Sequence, residues 1–136
     1  MTIVYAQEQS LPVEDYVTVL SEGAMRNRRP LANKVRIAEM IAGANFIVTA
    51  REDGVIVGLA RCITDNAWIA YCAELAVREN WQGRGVGAGI IKAARDILGP
   101  RLGLTLISEA EAVGFYQRIG MEQIDRAFFL TRADRG

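Results

Sequence analysis

The sequence has no histidine among its 136 residues, and this absence excludes several kinds of active site. A Ser-His-Asp triad needs an imidazole between the nucleophile and the acid, and the usual zinc sites use histidine ligands. A cysteine nucleophile also needs a base to activate it. Acid–base chemistry in this chain must therefore use Glu, Asp, Tyr, Lys, water or backbone, and we expect no metal.

Cysteine is scarce as well. The two cysteines, Cys62 and Cys72, fall inside predicted strands and lack CxxC spacing. We interpret them as buried free thiols, which suit a reducing compartment.

Net charge is also absent, because sixteen basic side chains balance sixteen acidic ones. This balance gives no electrostatic reason to expect nucleic acid or an anionic membrane as a partner. No apolar run approaches the length of a membrane span, and the N-terminus lacks a secretion-signal pattern. We expect a single domain over residues 1–136 in the cytoplasm, with a core large enough to fold without disulfides or bound metal.

Hydrophobic periodicity predicts an α+β chain. Strands are predicted at residues 3–6, 45–51, 55–63, 68–77 and 102–107, with a last strand at 127–131 that can pair with 121–124. Helices are predicted at residues 13–22, 32–42, 86–98 and 110–119. Glu52-Asp53-Gly54 indicates a hairpin turn. A strand–helix–strand crossover through residues 86–98 predicts that strands 68–77 and 102–107 pair in parallel.

The most informative segment is Gln82-Gly83-Arg84-Gly85-Val86-Gly87-Ala88, at the start of a predicted helix. Glycines let the backbone approach a ligand closely, and the first amides of a helix can bind a phosphate. The segment does not match a P-loop. Gly83, Gly85 and Ala88 do fit a degenerate Rossmann fingerprint, and Glu109 lies near the spacing of its ribose ligand. However, residues 78–82 separate the loop from its strand, whereas a Rossmann turn is tight.

The pattern Gln82-x-x-Gly85-x-Gly87 resembles the Q/R-x-x-G-x-G/A signature of the GNAT superfamily of acyl-CoA N-acyltransferases. Phe115-Tyr116-Gln117-Arg118-Ile119-Gly120-Met121 is similar to the F-Y-x-x-x-G-F segment of that family. The resemblance implies a GNAT fold, in which helices cover a mostly antiparallel sheet whose central parallel strands splay apart. It also implies direct transfer of acetyl from acetyl-CoA to a primary amine of a small molecule. A non-catalytic acyl-CoA sensor is the alternative, and family members are often homodimers.

The resemblance implies where the coenzyme binds. Main chain at Leu75, Ala76 and Val77 is expected to contact the pantetheine arm, and one N–H of Ala76 or Val77 to polarise the thioester. Many family members carry an Asn where this chain has Glu109, so the neighbouring Ser108 is expected to substitute. The residues expected at the coenzyme are Leu75, Ala76, Val77, Gln82, Gly83, Arg84, Gly85, Val86, Gly87, Ala88, Ser108 and Phe115.

Glu74 and Tyr116 are the expected catalytic residues. Glu74 is the only charged residue between Asp65 and Arg78, and apolar surroundings would raise its pKa towards that of a general base. The alternative is a carboxylate at a sheet edge that faces solvent. Tyr116 matches the family tyrosine that protonates the departing thiolate, although it could instead be a core aromatic.

The acceptor site is the least defined. The resemblance implies that loop 26–34 covers the acceptor. This loop is basic, and Arg28 and Arg29 are the expected contacts, although such a charge run is usually a solvated surface. If functional, the loop favours acceptors that carry a carboxylate or phosphate. Arg61, Asp65 and Tyr71 are further expected contacts.

Overall fold

A computed structural model describes residues 2–136 and contains one five-stranded sheet in the order β1-β2-β3-β4-β5. The strands are β1 (Ile3–Glu8), β2 (Phe46–Glu52), β3 (Val55–Thr64), β4 (Ile69–Val77) and β5 (Gly103–Leu106). The helices are α1 (Val13–Leu20), α2 (Lys34–Ala42), α3 (Val86–Leu98) and α4 (Val113–Arg118). Single 3-10 turns, Glu79–Trp81 and Ala110–Ala112, precede α3 and α4.

Strand direction agrees with the predicted topology. The pairs β1–β2, β2–β3 and β3–β4 are antiparallel, whereas β4 and β5 are parallel and are connected through α3. A crossover between parallel strands requires such a helix on one face of the sheet. The predicted α+β class and the predicted parallel pair are therefore confirmed.

The β2–β3 hairpin forms where the sequence predicts it. Glu52 pairs with Val55, and the two residues between them, Asp53 and Gly54, have φ values of 50° and 79°. Two positive φ angles are what a two-residue type I′ turn needs, and Asp-Gly is among the sequences that tolerate them.

Helices cover both faces of the sheet. Helices α1 and α2 pack over β2 and β3 through a cluster that includes Tyr16, Ile37 and Leu59. Helix α3 packs on the other face through Val86, Ile90 and Ala94. The contact is close, because a Cβ on Gly58 would lie 2.9 Å from Ile90 Cδ1. This packing holds the start of α3 against the sheet.

Some predicted boundaries are wrong. Helix α2 begins at Lys34 and not at residue 32, because the Asn33 side chain caps it by accepting a hydrogen bond from the Arg36 amide at 3.1 Å. Residues 110–119 form a 3-10 turn followed by the short helix α4.

The predicted C-terminal strands are also wrong. Over residues 107–136 the structure describes no strand, so neither 121–124 nor 127–131 pairs with the sheet. Phe128 and Leu130 are 96% and 97% exposed. A segment with strand propensity forms a strand only where it pairs with a neighbouring strand and buries one face. Segment 127–131 does neither within the described residues.

Candidate active site

A cleft opens where β4 and β5 separate. The two strands are paired only from Ile69↔Gly103 to Cys72↔Leu106. Beyond that point, no strand in the described part of the chain occupies the β5 side of β4. A cavity of about 160 Å³ lies there. Its lining residues are Val19, Leu20, Gly23, Ala24, Met25, Cys72, Ala73, Glu74, Leu75, Ala76, Val77, Gln82, Leu106, Ile107, Glu109, Glu111, Ala112 and Tyr116.

Six of the predicted site residues line this cleft. They are Glu74, Leu75, Ala76, Val77, Gln82 and Tyr116. The structure thus brings together the end of β4, the residue that opens the Gly-rich loop and the tyrosine of α4.

The Gly-rich loop leads from the cleft to the start of α3. Gly83 and Gly85 have φ values of 74° and 81°, and Gly85 is the N-cap of α3. A Cβ on either residue would meet no atom within 4 Å, so their missing side chains leave open space. The first bond of the helix runs from the Gly89 amide to the Gly85 carbonyl at 2.9 Å. Amides before Gly89 have no partner within the helix, which is the arrangement that binds anions.

Three side chains anchor this loop and the residues that lead into it. Gln82 Nε2 donates to the Val77 carbonyl at 2.9 Å. Arg78 Nε donates to Glu22 Oε2 at 2.9 Å, and Glu22 Oε1 accepts from the Glu79 amide at 3.1 Å. The loop is therefore tied both to the end of β4 and to the end of α1.

Phe115 connects the loop to α4. A Cβ on Gly87 would lie 3.1 Å from the Phe115 ring, so the glycine allows the ring to pack on the first turn of α3. Phe115 also meets the Tyr116 ring edge to face, with centroids 5.0 Å apart. Phe115 does not line the cleft and acts as packing beside it.

Tyr116 lines the cleft and is half-buried. Burial, with smaller effects of Cys72 and Glu109, raises the pKa of its phenol above the usual value. The phenol therefore keeps its proton at neutral pH and can act as a donor. Ser108, by contrast, donates its hydroxyl to the Glu109 carbonyl at 2.7 Å and lies outside the lining.

Glu74 does not have the environment that the sequence predicts. It is 2% exposed, and Arg61 donates to its two oxygens at 2.7 and 2.6 Å. Arg29 Nε donates to the second oxygen at 2.9 Å. Burial alone would raise the pKa of Glu74, but the bonds and charges of these arginines outweigh it and lower the pKa. The expectation of a raised pKa is therefore wrong, and so is the solvent-facing alternative.

Arg29 and Arg61 were expected to contact the acceptor, yet their donors point into the protein. Besides Glu74, Arg29 donates to the Ala73 and Arg28 carbonyls at 2.9 and 2.8 Å. Arg61 also donates to the Met40 carbonyl at 3.3 Å. The buried Arg61 and the half-buried Arg29 serve as partners of Glu74, because a charge that is removed from water must be compensated.

The other expected acceptor contacts, Arg28, Asp65 and Tyr71, do not line the cleft. Arg28 bonds to Glu111 at 2.6 Å and approaches Glu109 at 3.3 Å. Asp65 Oδ1 accepts from the amides of residues 67, 68 and 69 at 2.9, 2.8 and 3.1 Å, and these bonds lower its pKa. It therefore caps a turn. Tyr71 lies opposite Ile63 on β3, outside the cleft lining.

One wall of the cleft was missed by sequence reasoning. Val19, Leu20, Gly23, Ala24 and Met25 form it, whereas the sequence pointed to residues 26–34. The signal that could have found this wall is the uncharged run Gly23-Ala24-Met25, which lies directly before the basic loop.

Comparison with known proteins identifies the family. A model of the acetyltransferase (GNAT) domain matches residues 17–130. This chain belongs to the GNAT family of acetyltransferases. The sequence resemblance to that family is therefore confirmed, and the Rossmann and P-loop alternatives are excluded.

Curated GNAT relatives match part of the chain. A histone acetyltransferase, TAP1, of Glycine max is 33% identical over 69 residues, which is 49% of this chain and 30% of the relative. The chloroplastic GCN5-related N-acetyltransferase 2 of Arabidopsis thaliana is 32% identical over 69 residues, covering 49% and 27% of the two proteins. The matched part thus spans less than a third of these relatives.

Solved GNAT structures match nearly the whole chain. A GNAT-family acetyltransferase from Streptococcus pneumoniae has a TM-score of 0.73 and 19% identity, with 99% of this chain and 100% of that one covered. The acetyltransferase AAC(6')-Iy, bound to the bisubstrate analogue CoA-S-monomethyl-acetylneamine, has a TM-score of 0.72 and 18% identity, with 97% and 99% covered. These likenesses show the GNAT fold.

Two further features concern the whole described chain. No helix within residues 2–136 is long and apolar enough to span a membrane. The same residues contain no group of three or more Cys, Asp or Glu side chains placed to hold a metal ion.

Proposed function

We propose that this GNAT domain is an N-acetyltransferase that moves acetyl from acetyl-CoA to a primary amine of a small molecule. The observation that carries the proposal is the separation of β4 from β5 after Cys72 and Leu106. It leaves the main chain of residues 73–77 facing a cleft that also contains Tyr116. Backbone groups without a strand partner can hold an extended ligand as an added strand would be held.

The Gly-rich loop supports the use of a coenzyme with a pyrophosphate. A Cβ on Gly83 or Gly85 would meet no atom within 4 Å, and the first amides of α3 have no partner within the helix, which is the arrangement that binds an anion. In this proposal the segment from Gln82 to Ala88, including Arg84, holds the phosphates, and the backbone of Leu75, Ala76 and Val77 holds the pantetheine arm. Acetyl-CoA supplies an activated acyl group as a thioester.

The transfer is proposed to proceed in one ternary complex. The neutral amine nitrogen bonds to the acetyl carbon, the carbon–sulfur bond breaks, and Tyr116 gives its proton to the departing sulfur. The surplus proton of the amine leaves to water, and Tyr116 regains a proton from solvent. An N–H of Ala76 or Val77 stabilises the oxyanion, a contact typically worth about 3–4 kcal/mol.

Glu74 is assigned a different role from the general base. Its pKa is lowered and both of its oxygens accept hydrogen bonds from arginine, so it has little tendency to take a proton. We propose that it holds β4 to the α1–α2 loop: Arg29 joins the Glu74 side chain and the Ala73 carbonyl to that loop.

The charge of the cleft supports a cationic acceptor. The charged lining residues within the described chain are Glu74, Glu109 and Glu111, and none is Arg or Lys. Glu109 and Glu111 lie at the side where Arg28 contacts them. Glu74 is compensated by its two arginines, whereas Glu109 and Glu111 share the single cation Arg28. We propose that the one carboxylate charge left at this side favours amines with a further positive charge over acceptors with a carboxylate or phosphate, which is the reverse of the preference that the basic loop suggested. The AAC(6')-Iy structure with an acetylneamine analogue is consistent with this class.

The proposal is tested by measuring release of CoA thiol from acetyl-CoA with a panel of amines. The panel includes aminoglycosides, polyamines, amino acids and short peptides. We expect acceptor-dependent thiol release that is greatest with small polycationic amines. Binding of acetyl-CoA without release for any amine would instead support the non-catalytic sensor. If neither acetyl-CoA nor CoA raised the melting temperature, that result would contradict both the enzyme and the sensor.

A further inference from the structure

An ion-pair cluster joins two segments at one side of the cleft. Arg28 lies on the loop between α1 and α2, whereas Glu109 and Glu111 lie between β5 and α4. Arg28 Nη1 donates to Glu111 Oε1 at 2.6 Å and lies 3.3 Å from Glu109 Oε2. Both glutamates line the cleft, and Arg28 lies outside its lining. We call these three side chains the Arg28 bridge, because they connect two segments that are distant in the chain.

The Arg28 bridge is exposed to solvent. Its three side chains are 31% to 50% exposed, and ion pairs of this kind are weak and screened by salt. The neighbouring Arg29 instead bonds to Glu74, whose side chain is fully buried. The Arg29 contact therefore fixes the loop to β4, whereas the Arg28 bridge can open while the loop stays in place.

The chemistry of the bridge resembles that of a bound cationic amine. Arg28 Nη1 approaches both carboxylates and also donates to the Ala24 carbonyl at 3.3 Å. A protonated amine is likewise a positively charged group with up to three N–H donors, and it bonds to carboxylates in the same way. Since both glutamates line the cleft, an ammonium group bound there competes with Arg28 for them.

We propose that Arg28 determines the selectivity among acceptors: it holds Glu109 and Glu111 in the empty cleft, and the additional ammonium groups of a polycationic acceptor displace it. This inference rests on the proposed amine acetylation, which places the acceptor in this cleft. An acceptor without a second positive charge leaves the bridge closed. Arg28 thus neutralises one of two carboxylate charges, and its removal makes both available to an acceptor with two additional charges.

Kinetics with a linear monoamine, diamine and triamine test the proposal. In Arg28→Gln, KM for the triamine should fall by about fivefold at low salt, the factor that one unit charge at about 4 Å gives in water. KM for the monoamine and kcat for all three amines should stay nearly unchanged. The decrease in KM should disappear at about 1 M salt, because the Debye length there is only about 3 Å.

Two further variants separate this role from a general effect of charge or packing. Arg28→Lys keeps the positive charge and should keep the parent KM for the triamine. Lys34→Gln is the matched control, because it removes one positive charge where Lys34 pairs with the exposed Glu14, outside the cleft lining. It should leave KM for all three amines unchanged. An unchanged triamine KM in Arg28→Gln, an equal change for all three amines, or the same change in Lys34→Gln would overturn the proposal.

A binding measurement keeps this test distinct from that of the proposed reaction. If the parent chain acetylates none of the amines, the proposed function fails, and calorimetry of triamine binding in the presence of CoA then decides the role of Arg28. Tighter binding of the triamine to Arg28→Gln than to the parent would support displacement of Arg28. Equal binding to the two chains would overturn it.

Discussion

Glu74 lies on β4 with its carboxylate between the guanidinium groups of Arg61 and Arg29. The local sequence shows only uncharged, mostly apolar neighbours, which is why it predicts a raised pKa for Glu74. The two arginines are 13 and 45 positions away in the chain. Strand pairing of Arg61 with Glu74 and the path of the α1–α2 loop bring them together, and neither is visible in a local pattern.

Replacing Glu74 should reduce stability strongly. Glu74→Gln leaves two arginines without their buried counter-charge, and breaking a buried pair typically costs about 3–5 kcal/mol. Urea denaturation measures the change in the free energy of unfolding. Glu14→Gln serves as the control, because Glu14 pairs with Lys34 at an exposed surface and such pairs contribute at most about 1 kcal/mol. Equal effects of the two substitutions would contradict the buried ion pair.

The pH dependence of the free energy of unfolding should also reflect the ion pair of Glu74. The folded pKa of Glu74 is lowered, so its stabilising contribution is complete above the unfolded value of about 4.3. The contribution is lost as pH falls through the lower folded pKa. The difference in free energy of unfolding between parent and Glu74→Gln should thus shrink below about pH 4. A difference that grows on acidification would mean that the pKa is raised.

Tyr116 is proposed to protonate the sulfur, and Tyr116→Phe removes only its hydroxyl. We expect kcat to fall by about 10²-fold or more, as for loss of a general acid, with KM for acetyl-CoA nearly unchanged. Tyr71→Phe is the control, since Tyr71 lies outside the cleft lining. An unchanged kcat for Tyr116→Phe would remove this assignment.

At the scale of elements, the sequence was most informative where local rules dominate. Helix α3 has its predicted bounds, because the positive-φ glycine at its N-cap and the apolar spacing along it are local signals. The turn at Asp53 and Gly54 was predictable for the same reason. The cleft wall at residues 23–25 was not, since it depends on how the loop after α1 crosses β4.

The Gly-rich loop allows a prediction with an internal control. Gly85→Ala places a methyl group where φ is 81°, beside the partnerless amides of α3. We expect the dissociation constant for acetyl-CoA, measured by calorimetry, to rise by at least about tenfold through loss of phosphate contacts. Gly54→Ala has a similar φ of 79° in the β2–β3 hairpin. Gly54→Ala is therefore the control: it should lower the free energy of unfolding by a similar amount and leave the dissociation constant for acetyl-CoA unchanged. Equal dissociation constants for the two variants would contradict the assignment of the Gly-rich loop.

At the scale of the whole molecule, the net charge is zero, but the charged side chains are unevenly distributed over the fold. The basic loop suggested an anionic acceptor, but Arg28, Arg29 and Lys34 all bond to acidic side chains. At the cleft, Glu109 and Glu111 share the single cation Arg28, which leaves one carboxylate charge there. Composition gives only the sum of charges, whereas the fold decides which of them face the cleft.

This charge distribution predicts a specific effect on the acceptor. Glu111→Gln should raise KM for a polycationic amine several-fold and change KM for a monoamine much less. The reason is that only the polycationic amine carries a second positive charge that can lie near Glu111 in the cleft lining. Glu79→Gln, outside the cleft lining, is the control. Equal KM changes for both amines would contradict an electrostatic role.

The central claim is that acetyl-CoA binds with its phosphates at the start of α3 and its thioester between β4 and β5. A crystal structure of the chain with acetyl-CoA tests this most directly. We predict the pyrophosphate on the amides of the Gly85–Ala88 segment, the pantetheine along residues 75–77, and the sulfur within hydrogen-bond reach of the Tyr116 hydroxyl. A coenzyme bound away from the first turn of α3, or a sulfur far from Tyr116, would contradict the account.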